Sequence, residues 1–269
     1  MFSWIRVSSL LVPLACLLVI PVQAQSSEQV EVGPPPLHRV APPPAQASPA
    51  ELESRGDELR TEKNYLDAVD YYQAALRSTS GNATLINKIG ICQLMLQHYK
   101  PARKSFEHAI RVDRNHADAY NNLGVTYYAV HNYNAALKQY EKAIAIKNDA
   151  ASFYSNMGTA YFGKREFEKA IRCYENALEL DPEIFDRSSH AGLEAKLPSP
   201  EDRAHYDFVL AKLFARTGET DRSLHYLKKA MEEGYRGIKA VYKDDEFSSL
   251  RKDPRFAELM AAKTLAISD

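Results

Sequence analysis

The chain has 269 residues, 34 Lys and Arg against 35 Asp and Glu for a formal net charge of −1, and 45% hydrophobic residues. So even a balance argues against a nucleic-acid binder, whose recognition surface needs clustered basic charge. Three cysteines make no disulfide framework, so the fold has to rest on an apolar core.

In chain order, residues 1–24 read as a signal peptide. Arg6 gives a positive start, Leu10 to Val22 forms an apolar run, and Val22-Gln23-Ala24 supplies small residues for cleavage before Gln25. Pro13 and Pro21 interrupt the run, and it falls short of the roughly 20 apolar residues that span a bilayer. The expectation is an exported protein, periplasmic or secreted, with no integral span in the mature chain; tethering by an uncleaved signal anchor is the alternative. Residues 25–48 follow as a Pro-rich disordered linker with triplets at 34–36 and 42–44.

From Pro49 the chain repeats itself at a shift of 34 residues. Gly56, Gly90, Gly124 and Gly158 fall into one column, and Ala68, Ala102, Ala136 and Ala170 into another. Tyr72, Phe106, Tyr140 and Tyr174 make a third, Ala75, Ala109, Ala143 and Ala177 a fourth, and Tyr65, Tyr99, Tyr133 and Phe167 a fifth. The spacing predicts two antiparallel helices per unit, neither able to bury its apolar stripe alone. Small residues mark close backbone approach, and the aromatics fill the space between helices.

Leu123-Gly124 with Tyr127, Ala136 and Tyr140, and Met157-Gly158 with Tyr161, Ala170, Tyr174 and Pro182, resemble the signature of the tetratricopeptide-repeat (TPR) family. The resemblance implies an all-α fold, a TPR α-solenoid of antiparallel helix pairs. Four clear repeats occupy 49–182 (49–82, 83–116, 117–150 and 151–184). A polar insert with a helix start at Ser199-Pro200-Glu201-Asp202 covers 183–203, a degenerate repeat 204–237, and a helical C-terminal cap 238–269. In the degenerate repeat Leu210-Ala211, Phe214, Ser223, Leu227 and Ala230 stand in the diagnostic columns.

No His-Glu-x-x-His, paired Cys-x-x-Cys, phosphate-cradling glycine loop or nucleophile-elbow serine occurs, so no catalytic residue, metal ligand or cofactor is expected. Cys92 and Cys173 fall on different helix types of different repeats, which argues against a bridge between them.

The resemblance instead implies a concave groove lined by the first helices. Three and two residues before the column glycines stand Asn87-Lys88, Asn121-Asn122 and Ser155-Asn156; four after them stand Tyr128 and Phe162. Asn122 and Asn156 resemble the asparagine ladder in the repeat superhelix of O-linked N-acetylglucosamine transferase, while Lys88 and Ser54 depart from it. An amide side chain both donates and accepts, which suits the backbone of an extended peptide of any sequence. The carboxylate clamp of chaperone-reading members is not expected, because Glu53, Asp57 and Asn121 stand at places bearing on it. The function read from the sequence is a non-enzymatic adaptor that binds another protein, as an extended segment, in the groove. The alternative is a structural, self-assembling envelope component that uses its convex or capping surfaces.

Overall fold

The computed structural model describes residues 42–79, 81–186 and 199–266. The expected signal peptide, the spacer up to residue 41 and residues 187–198 of the insert lie outside the described residues. Helix α1 (Pro49–Thr61) starts at a capping box: the Glu51 amide donates to Ser48 Oγ, and the Ser48 amide donates to Glu51 Oε2 at 2.8 Å. Proline takes the first helical position, where its missing N–H leaves no bond unmade.

Helix α1 pairs with α2 (Tyr65–Ser78), then α3 (Ala83–Met95) with α4 (Tyr99–Val112), α5 (Ala117–Ala129) with α6 (Tyr133–Ile146), and α7 (Ala151–Gly163) with α8 (Phe167–Leu180). A fifth pair, α9 (Pro200–Arg216) and α10 (Thr220–Glu232), leads through three short 3-10 turns to α11 (Pro254–Ala266). Helix α9 has 17 residues against 13 in each earlier first helix, because it starts at Pro200 rather than at the expected unit boundary of 204. No described helix is long and apolar enough to cross a membrane.

The glycine column has a direct steric cause. A Cβ on Gly56, Gly90 or Gly124 would lie 2.6, 2.5 or 2.5 Å from the ring of Tyr72, Phe106 or Tyr140, and one on Gly158 would strike Tyr174. These four rings are fully buried. In the fifth pair both members change together, Ala211 standing for the glycine and Leu227 for the ring.

Each pair is joined by the same Schellman turn. Lys63, Gln97, His131 and Arg165 all sit at positive φ near 60°, and Gly218 takes the same place in the fifth pair at 79°. The next amide reaches back, from Asn64 to the Leu59 carbonyl and from Glu219 to that of Phe214. A left-handed residue in phase five times shows that the fifth pair is a member of the array. Successive first helices also touch, α3 with α5 and α5 with α7, whereas second helices make no comparable contact with one another. The first helices therefore line the inner, concave side of the array.

The insert is not purely polar where it leaves α8. Ile184 and Phe185 fold back into the junction of the fourth and fifth pairs, Phe185 edge-on to Tyr174 with ring centroids 5.3 Å apart. Tyr226 donates to the Phe185 carbonyl at 3.0 Å, and Arg222, lying over the Phe214 ring, donates to that of Pro182 at 2.9 Å. With α9 less closely applied to α8 than the other first helices are to the second helices before them, this strap fills space the regular packing leaves open. Val241, Phe247, Leu250 and Phe256 then cover the outer side of the fifth pair.

Candidate functional site: the first-helix face

The polar residues expected to line the groove form one ladder between neighbouring first helices. Lys88 Nζ donates to Glu53 Oε1 at 2.7 Å, Asn122 Nδ2 to Asn87 Oδ1 at 3.1 Å, and Asn156 Nδ2 to Asn121 Oδ1 at 3.0 Å. All three bonds span 35 residues, one repeat plus one, so a single helix-to-helix geometry generates them. Asn121 Nδ2 and Asn122 Oδ1, 3.4 Å apart, connect the two asparagine rungs. Asn87, Asn121 and Asn122 are buried, whereas Lys88, Ser155 and Asn156 are partly exposed.

At the first rung Lys88 also donates to Asp57 Oδ2 at 2.6 Å, and Tyr72 donates to Asp57 Oδ1 at 2.8 Å. Burial raises the Asp57 carboxyl, but the hydrogen bonds from Lys88 and Tyr72 outweigh it and hold the group below its ordinary value. Glu53 and Asp57 are thus engaged inside the protein. Sequence reasoning weighed them only against a chaperone-tail clamp; the signal it missed was the opposite charge 35 and 31 residues downstream at Lys88.

Tyr128 and Phe162 turn inward. Tyr128 is 4% exposed and packs beside Tyr133, while Phe162 is 2% exposed among Phe167, His205 and Tyr206. The structure therefore brings Asn87, Lys88, Asn121, Asn122 and Asn156 into the ladder, leaves Ser155 beside its last rung with no ladder bond, and buries Tyr128 and Phe162.

The ladder ends at the fourth unit. Phe208 and Val209 hold the corresponding places on α9, both buried and neither able to continue it. Asn156 keeps its second N–H and its oxygen, and Ser155 its hydroxyl, with no side-chain partner among the described residues. A second concavity sequence reasoning did not anticipate, about 560 Å³, opens nearby between α8 and α9, with Phe167, His205, Phe208 and Tyr235 among its walls. Cys92 and Cys173 are free and buried; burial pushes their thiols up to about 12 and about 11, which keeps them protonated and unreactive.

Three family models match 34-residue windows: a tetratricopeptide repeat at 151–184, a TPR repeat at 132–165 and a tetratricopeptide repeat at 105–138. The first window coincides with the α7–α8 unit, and the others frame the same period from a different helix. Among solved structures the chain is similar to TTC0263, a thermophilic TPR protein of Thermus thermophilus. The identity is 20%, over 80% of this chain and 100% of that one, with a TM-score of 0.51. It is also similar to pilF of Pseudomonas aeruginosa, at 17% identity over 76% and 81% of the two chains and a TM-score of 0.51. These likenesses are of fold. No curated protein matches the chain. The windows that match the repeat models are built from the same pairs, turns and glycine-to-ring contacts that recur along α1–α8, and the chain carries a tetratricopeptide-repeat solenoid.

Proposed function

We propose that this protein is a non-enzymatic, extracytoplasmic adaptor whose concave first-helix face binds a segment of another polypeptide. The observation that carries the reading is the open end of the ladder. Buried rungs hold the first helices in fixed register, and the last rung presents an amide and a hydroxyl with unfilled hydrogen-bonding capacity. An extended peptide offers the alternating N–H and C=O groups that such a pair can meet. On this reading Lys88, Ser155 and Asn156 face the partner, and Asn87, Asn121, Asn122, Tyr128 and Phe162 hold the wall in shape.

The test places a photo-crosslinking side chain at Ser155 in the native cell, with exposed Lys239 as control position. A protein adduct at 155 but not at 239 is expected. Affinity for the recovered partner should then fall about tenfold in Ser155→Ala, one desolvated hydrogen bond being worth roughly 1–3 kcal/mol, with little change in melting temperature because the Ser155 hydroxyl has no side-chain partner among the described residues. Asn122→Ala should behave differently, since it strands the buried Asn87 oxygen and should lower stability by about 1–3 kcal/mol. Absence of any adduct at 155, or equal stability loss in the two variants, would reject the division of roles.

A further inference from the structure

The outward face of α4 carries charge that the fold does not use. Lys100, Arg103, Lys104 and Arg111 stand on this one helix against a single carboxylate, Glu107, which faces Arg103 at 3.7 Å. Lys100, Lys104 and Arg111 lie on one side of the helix at spacings of four and seven, and none makes an ion pair among the described residues. Some other cations are fully engaged: Lys88 meets two carboxylates and Lys212 three.

The N-terminal part of the arrangement works against the helix that bears it, although Arg111, in the last turn, suits the dipole. The first turn of α4 holds no acidic residue and does hold Lys100, so a positive charge sits at the positive end of the helix dipole. Lys100 and Lys104, four apart, repel each other. A local choice that disagrees with the fold, in a chain whose total charge is −1, is the pattern expected of a surface kept for something else. The cations also continue beyond α4. Lys138 on α6 and Arg172 on α8 occupy the repeat position of Lys104, are exposed, and form no ion pair among the described residues. Since second helices lie on the outer side of the array, these residues make a row along its convex face over the second, third and fourth units, with Asp70 and His225 at the same place in the first and fifth.

We infer that this convex row, Lys100, Lys104 and Arg111 continued by Lys138 and Arg172, is a docking surface for an acidic polypeptide segment. A partner protein suits it better than a continuous polyanion or an anionic membrane. Glu107 and Glu141 stand among the cations, where separate carboxylates of a partner can avoid them and an unbroken anionic surface cannot. The row lies on the opposite side of the solenoid from the asparagine ladder, so it is independent of the concave-face proposal and the two can fail separately.

The test uses the full-length protein and a labelled poly-glutamate peptide followed by fluorescence anisotropy, with vesicles containing phosphatidylserine as the second probe. Binding of the peptide is expected, weakening steeply as salt is raised to about 0.5 M. The variant Lys100→Glu/Lys104→Glu/Arg111→Glu should bind at least tenfold more weakly. Lys138→Glu/Arg172→Glu should bind several-fold more weakly, and Lys239→Glu like the parent. The single variant Lys100→Glu should also melt no lower than the parent, because it puts the favoured sign at the helix N-terminus. Three results overturn the inference: no peptide binding by the parent, equal affinity in parent and triple variant, or binding to the vesicles without binding to the peptide.

Discussion

Gly124 and Tyr140 share one space, and each restricts what the other can be. Alanine at 124 would gain helix propensity, by about 1 kcal/mol, but its Cβ would stand 2.5 Å from the buried ring, and overpacking of that kind costs about 1–3 kcal/mol. The steric term wins, so Gly124→Ala should destabilise. Ala211 with Leu227 shows the solution the chain itself uses where the ring is absent. We therefore expect Gly124→Ala combined with Tyr140→Leu to be less destabilised than the sum of the single variants, by about 0.5–3 kcal/mol in denaturant unfolding. Additive losses would mean that the two columns are not coupled. The glycine column was legible in the sequence because a helical glycine in phase with a ring is a local pattern. The direction of Tyr128 and Phe162 was not, because it depends on how closely the next pair packs.

Among elements, the junction of the fourth and fifth pairs differs from the rest. His205 on α9 lies in an aromatic stack, 4.2 Å from the Phe167 ring centroid and 5.0 Å from that of Tyr235, with Arg165 Nη1 3.5 Å from its Nδ1. Burial lowers the imidazole below its ordinary value, and the Arg165 guanidinium lowers it further, against weaker opposition from Asp202 and Glu201. A histidine held neutral by the fold favours folding above its unfolded value of about 6.5, and that contribution is lost as the pH falls through the folded value. Melting temperature should thus drop as the pH falls below about 6.5, and His205→Phe, which keeps the stack, should flatten the drop. An unchanged slope in the variant would place the titrating group elsewhere. Nothing in the spacing of the sequence marked this junction, since the strap at Ile184 and Phe185 reads locally as part of a polar insert.

For the whole molecule, a solenoid must cover the apolar sides of its first and last units. Glu51, Arg55 and Glu58 on α1 and Glu62 at its C-cap put charge on the first unit, and the 3-10 turns with α11 pack on α9 and α10 at the far end. With both ends covered, the long faces are left for the proposed binding: a ladder of one ionic and two amide rungs on the concave side and a basic row on the convex side. The proposed export belongs to this scale too. N-terminal sequencing of the native protein should read from Gln25 or its immediate neighbours, and an intact Met1 on soluble cytosolic protein would refute it.

The 34-residue period, the helix pairs and the capping at Ser48 were determined by the sequence alone, because each follows from residues within one unit meeting steric and hydrogen-bonding demands at short range. Which polar side chains pair across units was decided by the tertiary structure. The placement of neighbouring first helices carries Asn122 to Asn87 rather than to Lys88, its counterpart in the repeat, or to solvent, and sets the shift of 35 instead of 34. The same placement brings Lys88 between Glu53 and Asp57, and the rings of Phe167, His205 and Tyr206 close over Phe162. A repeat in sequence specifies the unit; the angle between units, a sum of many weak contacts, specifies the face.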